Sequence, residues 1–418
     1  MNIQTGKSRV ARALQSRERY LTESLTALRR AEFSDFDPQQ YEPYLRALME
    51  VNDHITVPAK YIDEASEVYE EAGRTLLKDL NWPDETISVY AQGSASTTTL
   101  IYPPDNSKFD IDAVCEVDLS RVDAKDPMGF FDAVGEVLQK YDAEAKKRCW
   151  SLPCTGKRFY IEFTPSVPLG TIHDTAVEQL APLFSAGEMY KTTALAVADC
   201  PTERWKTSNP SGFAAWVDDT AKYRLLVADK LDRIAVLSED VESVPTQSIE
   251  DGDVLRLSIR LLKRHRDMSV NRNLVSRKYK PISVIIVTLL TACYSGLAQL
   301  GRQYAHPLDL LAEMVELIPL MVRGEDGSYH VDNPTVEGEN FAEKWNGDGG
   351  RRAKEFAKWI DILQRDIQTI LAETSDERAR ERARKVFGCT AASTDPDDTE
   401  LKSRDLRPPA VHVKDGLA

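Results

Sequence analysis

The sequence predicts an α+β protein: a small lobe built on a mixed sheet, followed by a mainly helical lobe. Three observations carry this. Short β-rich segments fall at 86–90, 109–117 and 158–164, all in the first part of the chain. Beyond about residue 175 such segments become rare. The stretch 211–387 then spaces its apolar residues as helices do, broken near 323–350 by Gly, Pro and Asn.

The elements follow in order. Residues 8–30 read as an amphipathic helix, with Val10, Leu14, Tyr20, Leu21, Leu25 and Leu28 between polar positions. A second helix is expected over about 60–80, and a helix over 127–141 separates the second and third strands. In the third strand Phe159, Ile161 and Phe163 form an apolar face, and Arg158, Tyr160, Glu162 and Thr164 form the other. A helix is expected over 253–267. The segment 282–300 has no charged residue across 19 positions, yet it holds Ser283, Thr288, Thr291, Ser295, Gly296 and Gln299. It reads as a buried core helix and not as a membrane span. The domain division is therefore 1–200 for N-terminal helices and the sheet core, 201–387 for the helical lobe, and 388–418 for a flexible tail poor in apolar residues.

Composition bounds the function. The 418 residues carry 53 Lys and Arg against 67 Asp and Glu, a net charge of −14. With 42% apolar and 29% charged residues this is an ordinary globular mix. The acidic balance argues against coating long nucleic acid, which needs a large basic surface. Small nucleotides need only a local basic pocket. The six Cys and six His are scattered without CxxC spacing, so neither a zinc site nor a disulfide framework is expected. Residues 1–30 are polar and charged, without an apolar signal core, and the protein reads as cytoplasmic, with no membrane partner.

Four features bear on chemistry. Gly93-Ser94 follows the first strand, where a glycine lets backbone approach a ligand and the hydroxyl and N–H groups can meet phosphate; most such pairs are only turns. Asp110 and Asp112 stand two apart in the second strand and share a face. Their repulsion is offset by a divalent cation such as magnesium, or by solvent at a charged strand edge. Glu162 can add a third carboxylate from a neighbouring strand and complete a two-ion site, or stand as an exposed strand Glu. On the helix over 253–267, Arg256, Arg260, Lys263 and Arg264 share one face. Such a stripe needs a triphosphate or nearby acids as partner, with acids expected for at least two of the four. Ser283, 20 residues after Lys263, would bring a hydroxyl to the same phosphate.

Their order gives these features weight. A Gly-Ser loop, two strand carboxylates 16 and 18 residues after the Ser, and a third on a later strand is the layout of polymerase β-like nucleotidyltransferases. The chain resembles one branch of them, the bacterial cGAS/DncV-like nucleotidyltransferases (CD-NTases). The likeness includes Thr99 near Gly93-Ser94, the run Phe109 to Glu116, 159–168, 259–267 with its Leu-Leu-Lys-Arg core, and 280–290. It extends to Asn333-Pro334, Glu339-Asn340-Phe341 and Lys344-Trp345. The resemblance implies a synthase that joins nucleoside triphosphates into a cyclic di- or trinucleotide second messenger for anti-phage signalling. The expected substrates are ATP, with GTP or another NTP as the second. It implies two Mg2+ (or Mn2+) ions held by Asp110, Asp112 and Glu162, and a triphosphate held by Gly93, Ser94, Lys263 and Ser283. Glu162 departs from the family's Asp. The resemblance also raises conjugation of the C-terminus, which ends Gly416-Leu417-Ala418, by a ubiquitin-type ligation enzyme. Two alternatives stay open: transfer of a single NMP to a protein, RNA end or small molecule, and a non-catalytic nucleotide sensor.

Overall fold

The computed structural model describes residues 6–23, 42–83, 85–105, 107–120, 126–171, 192–226, 247, 249, 252–324 and 326–389. Helices α1 (Gly6–Glu23), α2 (Glu42–Ile55) and α3 (Ala59–Asp79) lead into strand β1 (Ile87–Gln92), a single turn α4 (Gly93–Ser96) and β2 (Phe109–Val117). Helix α5 (Pro127–Leu138) follows, with Asp126 as N-cap accepting from the Gly129 N–H and Pro127 in the first turn. Strands β3 (Glu144–Ala145), β4 (Trp150–Leu152), β5 (Phe159–Pro168), β6 (Leu195–Asp199) and β7 (Arg204–Ser208) complete the sheet. The helical part comprises α6 (Pro210–Ala221), α7 (Val254–Asn271), α8 (Ser283–Gln299), α9 (Pro307–Met321), α10 (Glu343–Gly347), α11 (Arg351–Leu371) and α12 (Asp376–Phe387).

The sheet runs β1-β2-β5-β4-β3, with β6 pairing β5 and β7 pairing β6. β2 and β5 are parallel and the other pairs antiparallel. One face is covered by α3 and α5: Tyr69, Leu76, Phe130 and Val134 pack on Ile111, Ala113, Phe159, Ile161 and Phe163. Burial of these alternating residues sets the register of β2 against β5, because a one-residue slip would turn every apolar side chain out. The opposite face carries Asp110, Asp112, Tyr160 and Glu162, and it faces the helical lobe.

Strands β6 and β7 depart from the sequence reading, which expected few strands after residue 175. All five residues of β6 are buried, so Leu195-Ala196-Val197-Ala198 shows no polar alternation. The hairpin straddles position 200, so one sheet continues to Ser208. Helix α2 was also unforeseen. It joins α1 in the helical core beside Leu255, Leu289 and Leu311, so the first two described helices belong to the lobe formed by the last seven described. The close approach of α1 and α8 has a steric cause: a Cβ on Gly296 would lie 2.5 Å from the Gly6 carbonyl oxygen. The segment 282–300 forms α8 inside that core, and no described helix is long and apolar enough to cross a membrane. At the end of α12, Gly388 adopts a left-handed cap (φ 67°) and Cys389 is buried. Of the expected tail, then, its first two residues belong to the packed lobe, while 390–418 lie outside the described residues.

Candidate active site

The acidic strand β2 presents Asp110 and Asp112 on one face, as its period-two geometry requires, and Asp112 is level with Glu162 in the parallel register. Asp110 is exposed and the other two carboxylates are half-buried. Burial, followed by the neighbouring Asp110 and Glu162 charges, holds the Asp112 carboxyl well above its ordinary range; Lys263 partly offsets this. Glu162 is raised for the same reasons, burial first and then Asp110. The Cys149 thiol donates to Glu162 Oε2 at 3.9 Å.

Gly93 meets this cluster from the end of β1. Its φ is +62°, and a Cβ there would lie 2.1 Å from Asp112 Oδ2. Only a residue without a side chain lets the Gly-Ser turn press against the carboxylate. Ser94 is met from the other lobe: Lys263 Nζ donates to Ser94 Oγ at 2.9 Å and to the Thr99 carbonyl at 2.7 Å. Lys263 is 3% exposed, and burial pulls its ammonium down to about 8, with Arg266 lowering it further and Asp110 working against both. The turn is pinned at several further points. Gln247 accepts from Leu100 N and donates to the Ala95 carbonyl, and Arg256 donates to the Thr97 carbonyl.

The basic stripe on α7 differs from both sequence readings. Arg260 and Arg264 are buried, and among the described residues they hydrogen-bond neither the Ser94 hydroxyl nor an acid. Arg260 donates to the Gln247 carbonyl and Thr56 Oγ1, and Arg264 to the carbonyls of Tyr102, Phe387 and Gly388. They satisfy backbone oxygens where the two lobes meet. Of the four, among the described residues, Arg256 alone pairs with acids, Asp253 and Asp218. Ser283 begins α8, but its hydroxyl accepts from Arg266 Nη1 at 3.0 Å and touches neither Gly93 nor Ser94. It reaches the site through a chain: Arg266 and Lys280 both pair with Asp267, whose charge acts on Lys263.

Sequence reading missed Cys149, Tyr160 and Gln247. Tyr160 was within reach, since it stands two residues before Glu162 on the same face. Burial and then Asp110 push its phenol far up. Cys149 and Gln247 carry no sequence signal, because turns distant in sequence bring them in.

The donor set suits a hard divalent cation. Burial first, and then neighbouring carboxylate charge, hold Asp112 and Glu162 above their ordinary range, a strain that a bound cation would relieve. Among the described residues no three His, Cys, Asp or Glu side chains form a ready-made cage. Any ion held by Asp110, Asp112 and Glu162 would need oxygens from substrate phosphate and water.

Fold and residues together bring the acidic face of a mixed sheet against a glycine-serine turn and a buried lysine from the helical lobe. No protein-family model matches the sequence, and no curated protein matches it. Solved structures do. The CD-NTase CdnG of Bradyrhizobium diazoefficiens, in complex with GTP, superposes with a TM-score of 0.55 at 17% identity, covering 85% of this chain and 100% of that one. CdnC of E. coli MS115-1 with ATP gives 0.54 at 12% identity, over 82% and 97% of the two chains. The same CdnC in a complex with HORMA-deltaN gives 0.51, at 12% identity over 85% and 98%. The chain has the CD-NTase fold.

Proposed function

We propose that this chain is a metal-dependent nucleotidyltransferase that joins nucleoside triphosphates, ATP and a second NTP, into a cyclic oligonucleotide used as a second messenger in defence against phage. One observation carries the reading: Gly93 is pressed on Asp112 while Lys263 grips Ser94, so a phosphate loop, a carboxylate cluster and a buried cation meet at one turn.

The residues divide the work. The backbone of Gly93 and Ser94 would receive the donor's phosphates, and Lys263 would turn from Ser94 and the Thr99 carbonyl to the triphosphate. Asp110, Asp112 and Glu162 would hold magnesium or manganese; when bound, two such ions supply charge stabilisation at the attacking and leaving oxygens. A ribose hydroxyl oxygen attacks the α-phosphorus in line. The new P–O bond forms as the bond to the β-phosphate's bridging oxygen breaks, and pyrophosphate departs. Glu162, its carboxyl raised by burial, would take the hydroxyl proton. A second transfer closes the ring.

Mass spectrometry of products from all four NTPs with magnesium or manganese tests this. A cyclic product is expected. Label from ATP appearing only on a macromolecule would overturn it in favour of single NMP transfer, and nucleotide binding without pyrophosphate release would leave a sensor.

A further inference from the structure

A glutamate has one more rotatable bond than an aspartate, so the backbone alone defines the place of its carboxylate less well. At Glu162 the backbone is fixed on both sides. On one edge β2 pairs with β5 so that Asp112 is level with Glu162, and on the other β4 brings Ser151 level with it. The freedom that remains lies in the side chain. Catalysis at a metal is sensitive to that freedom, since a displacement of about 1 Å can cost a hundredfold in rate. Among the described residues one side chain hydrogen-bonds this carboxylate: the Cys149 thiol, 3.9 Å from Oε2.

Cys149 is itself held from both ends. Before it, Lys146 N donates to the Cys149 carbonyl at 2.8 Å, and Arg148 Nε donates to the buried Asp199 at 2.7 Å. Cys200 N donates to the Lys147 carbonyl at 3.0 Å, which ties this turn to the β6–β7 hairpin. After it, the Trp150 ring stacks on Phe131 with centroids 4.9 Å apart, and its Nε1 donates to the Phe131 carbonyl at 3.2 Å. A Cβ on Gly135 would lie 1.9 Å from that indole, so α5 packs on Trp150 as closely as a glycine allows. These anchors fix the place from which the thiol starts, and its weak S–H donor meets a carboxylate acceptor. Carboxylates that ligate metals are held by such hydrogen bonds, and losing one costs about tenfold or more in metal affinity or activity.

We infer that Cys149 is a positioning residue: its thiol holds the Glu162 carboxylate in place and so fits the longer acid to the metal site. This rests on the metal-dependent transferase reading above. The pair acts as a unit. With Asp at 162 the carboxylate would withdraw by one methylene from a contact already 3.9 Å long, and the thiol would have nothing to hold.

The test combines infrared spectra, Mn2+ binding followed by electron paramagnetic resonance, and pyrophosphate-release kinetics, all on the full chain. The S–H band that Cys149→Ala removes identifies Cys149 among the six cysteines. In Glu162→Gln that band should shift to higher frequency, because an amide oxygen is a weaker acceptor than a carboxylate. With α,β-methylene-ATP present, Cys149→Ala should weaken Mn2+ binding by about tenfold. It should lower kcat by a similar factor and leave KM for NTP unchanged, because the thiol touches the carboxylate and not the triphosphate group. Cys149→Ser keeps a donor and should restore most of both. In the Glu162→Asp background, adding Cys149→Ala should change neither quantity, as a double-mutant cycle on a broken contact requires. An S–H band indifferent to Glu162→Gln would overturn the inference, and so would equal Mn2+ affinity and kcat in wild type and Cys149→Ala. A loss of the same size in the Glu162→Asp background would also overturn it, since it would mark packing at 149 and not the carboxylate contact. A wild type whose Mn2+ binding depends on Cys149 but which releases no pyrophosphate would overturn the transferase reading and leave the positioning role standing.

Discussion

Glu162 is one methylene longer than the Asp of the family it resembles, and the structure places it level with Asp112, with Cys149 at its tip. Its charge is what a divalent site needs. Glu162→Gln keeps the size and should cut turnover by orders of magnitude. Glu162→Asp keeps the charge and should retain activity, because an ion bound partly by phosphate can move with its ligand. Unchanged turnover in the Gln variant would remove the ligand role. Lys263 yields a pH prediction. Its folded value of about 8 lies below the ordinary lysine value near 10.4. Between the two, the folded chain binds fewer protons than the unfolded one, so this group adds stability as pH rises through that window and costs it below. Phosphate binding needs the charged form. The apparent KM for NTP should therefore climb above about pH 8, and Lys263→Arg, whose guanidinium stays charged, should flatten the rise. Lys263→Ala should raise KM at neutral pH by about ten- to a hundredfold, the worth of a charge-assisted contact. Steady-state kinetics across that range check both Lys263 variants.

At the scale of elements, α7 is the piece on which the site depends. Arg256 and Lys263 reach the turn after Gly93-Ser94, Arg260 reaches the Gln247 carbonyl and Thr56, and Arg264 ties Tyr102 to the end of α12. These long side chains stay buried because each finds carbonyls or hydroxyls that would otherwise be orphaned at the junction of two lobes. The α1–α8 contact is the second dependency, and it tolerates no side chain. A Cβ on Gly296 would meet both the Gly6 carbonyl and Val10 Cγ2 at 2.5 Å. Gly296→Val should cost about 1–3 kcal/mol by overpacking. A denaturant midpoint equal to wild type would show that α1 can detach without consequence.

Across the whole molecule, chain order and spatial order differ. Helices α1 and α2 precede the sheet but pack in the helical core with α7, α8 and α9. Arg9 pairs with Asp332 and Arg17 with Glu313, so the first helix is held by residues some 300 positions away. The C-terminal end of α12 is held too, through Arg264 on the Phe387 and Gly388 carbonyls. A chain ended after Cys389 keeps that clamp and should make product at the wild-type rate. One ended before Gly388 loses an acceptor for a buried guanidinium together with a buried thiol, and should melt at a lower temperature. Equal melting of the two would refute the clamp.

The sequence determined by itself the parts governed by local period and spacing. Alternation set β2, its bounds matching the expected 109–117, and put Asp110 and Asp112 on one face. The apolar runs gave the buried α8. The order Gly93-Ser94, Asp110, Asp112, Glu162 was legible because strand geometry turns sequence spacing into a shared face. Tertiary structure alone decided the rest. It put Glu162 opposite Asp112, made Lys263 the site's cation and Arg260 and Arg264 its scaffolding, and held Ser283 off behind Arg266. Four cations on one helical face are equivalent by period. Which of them meets the Ser94 hydroxyl and which meets carbonyls alone depends on the other lobe, and the burial that drives the lobes together is not directional.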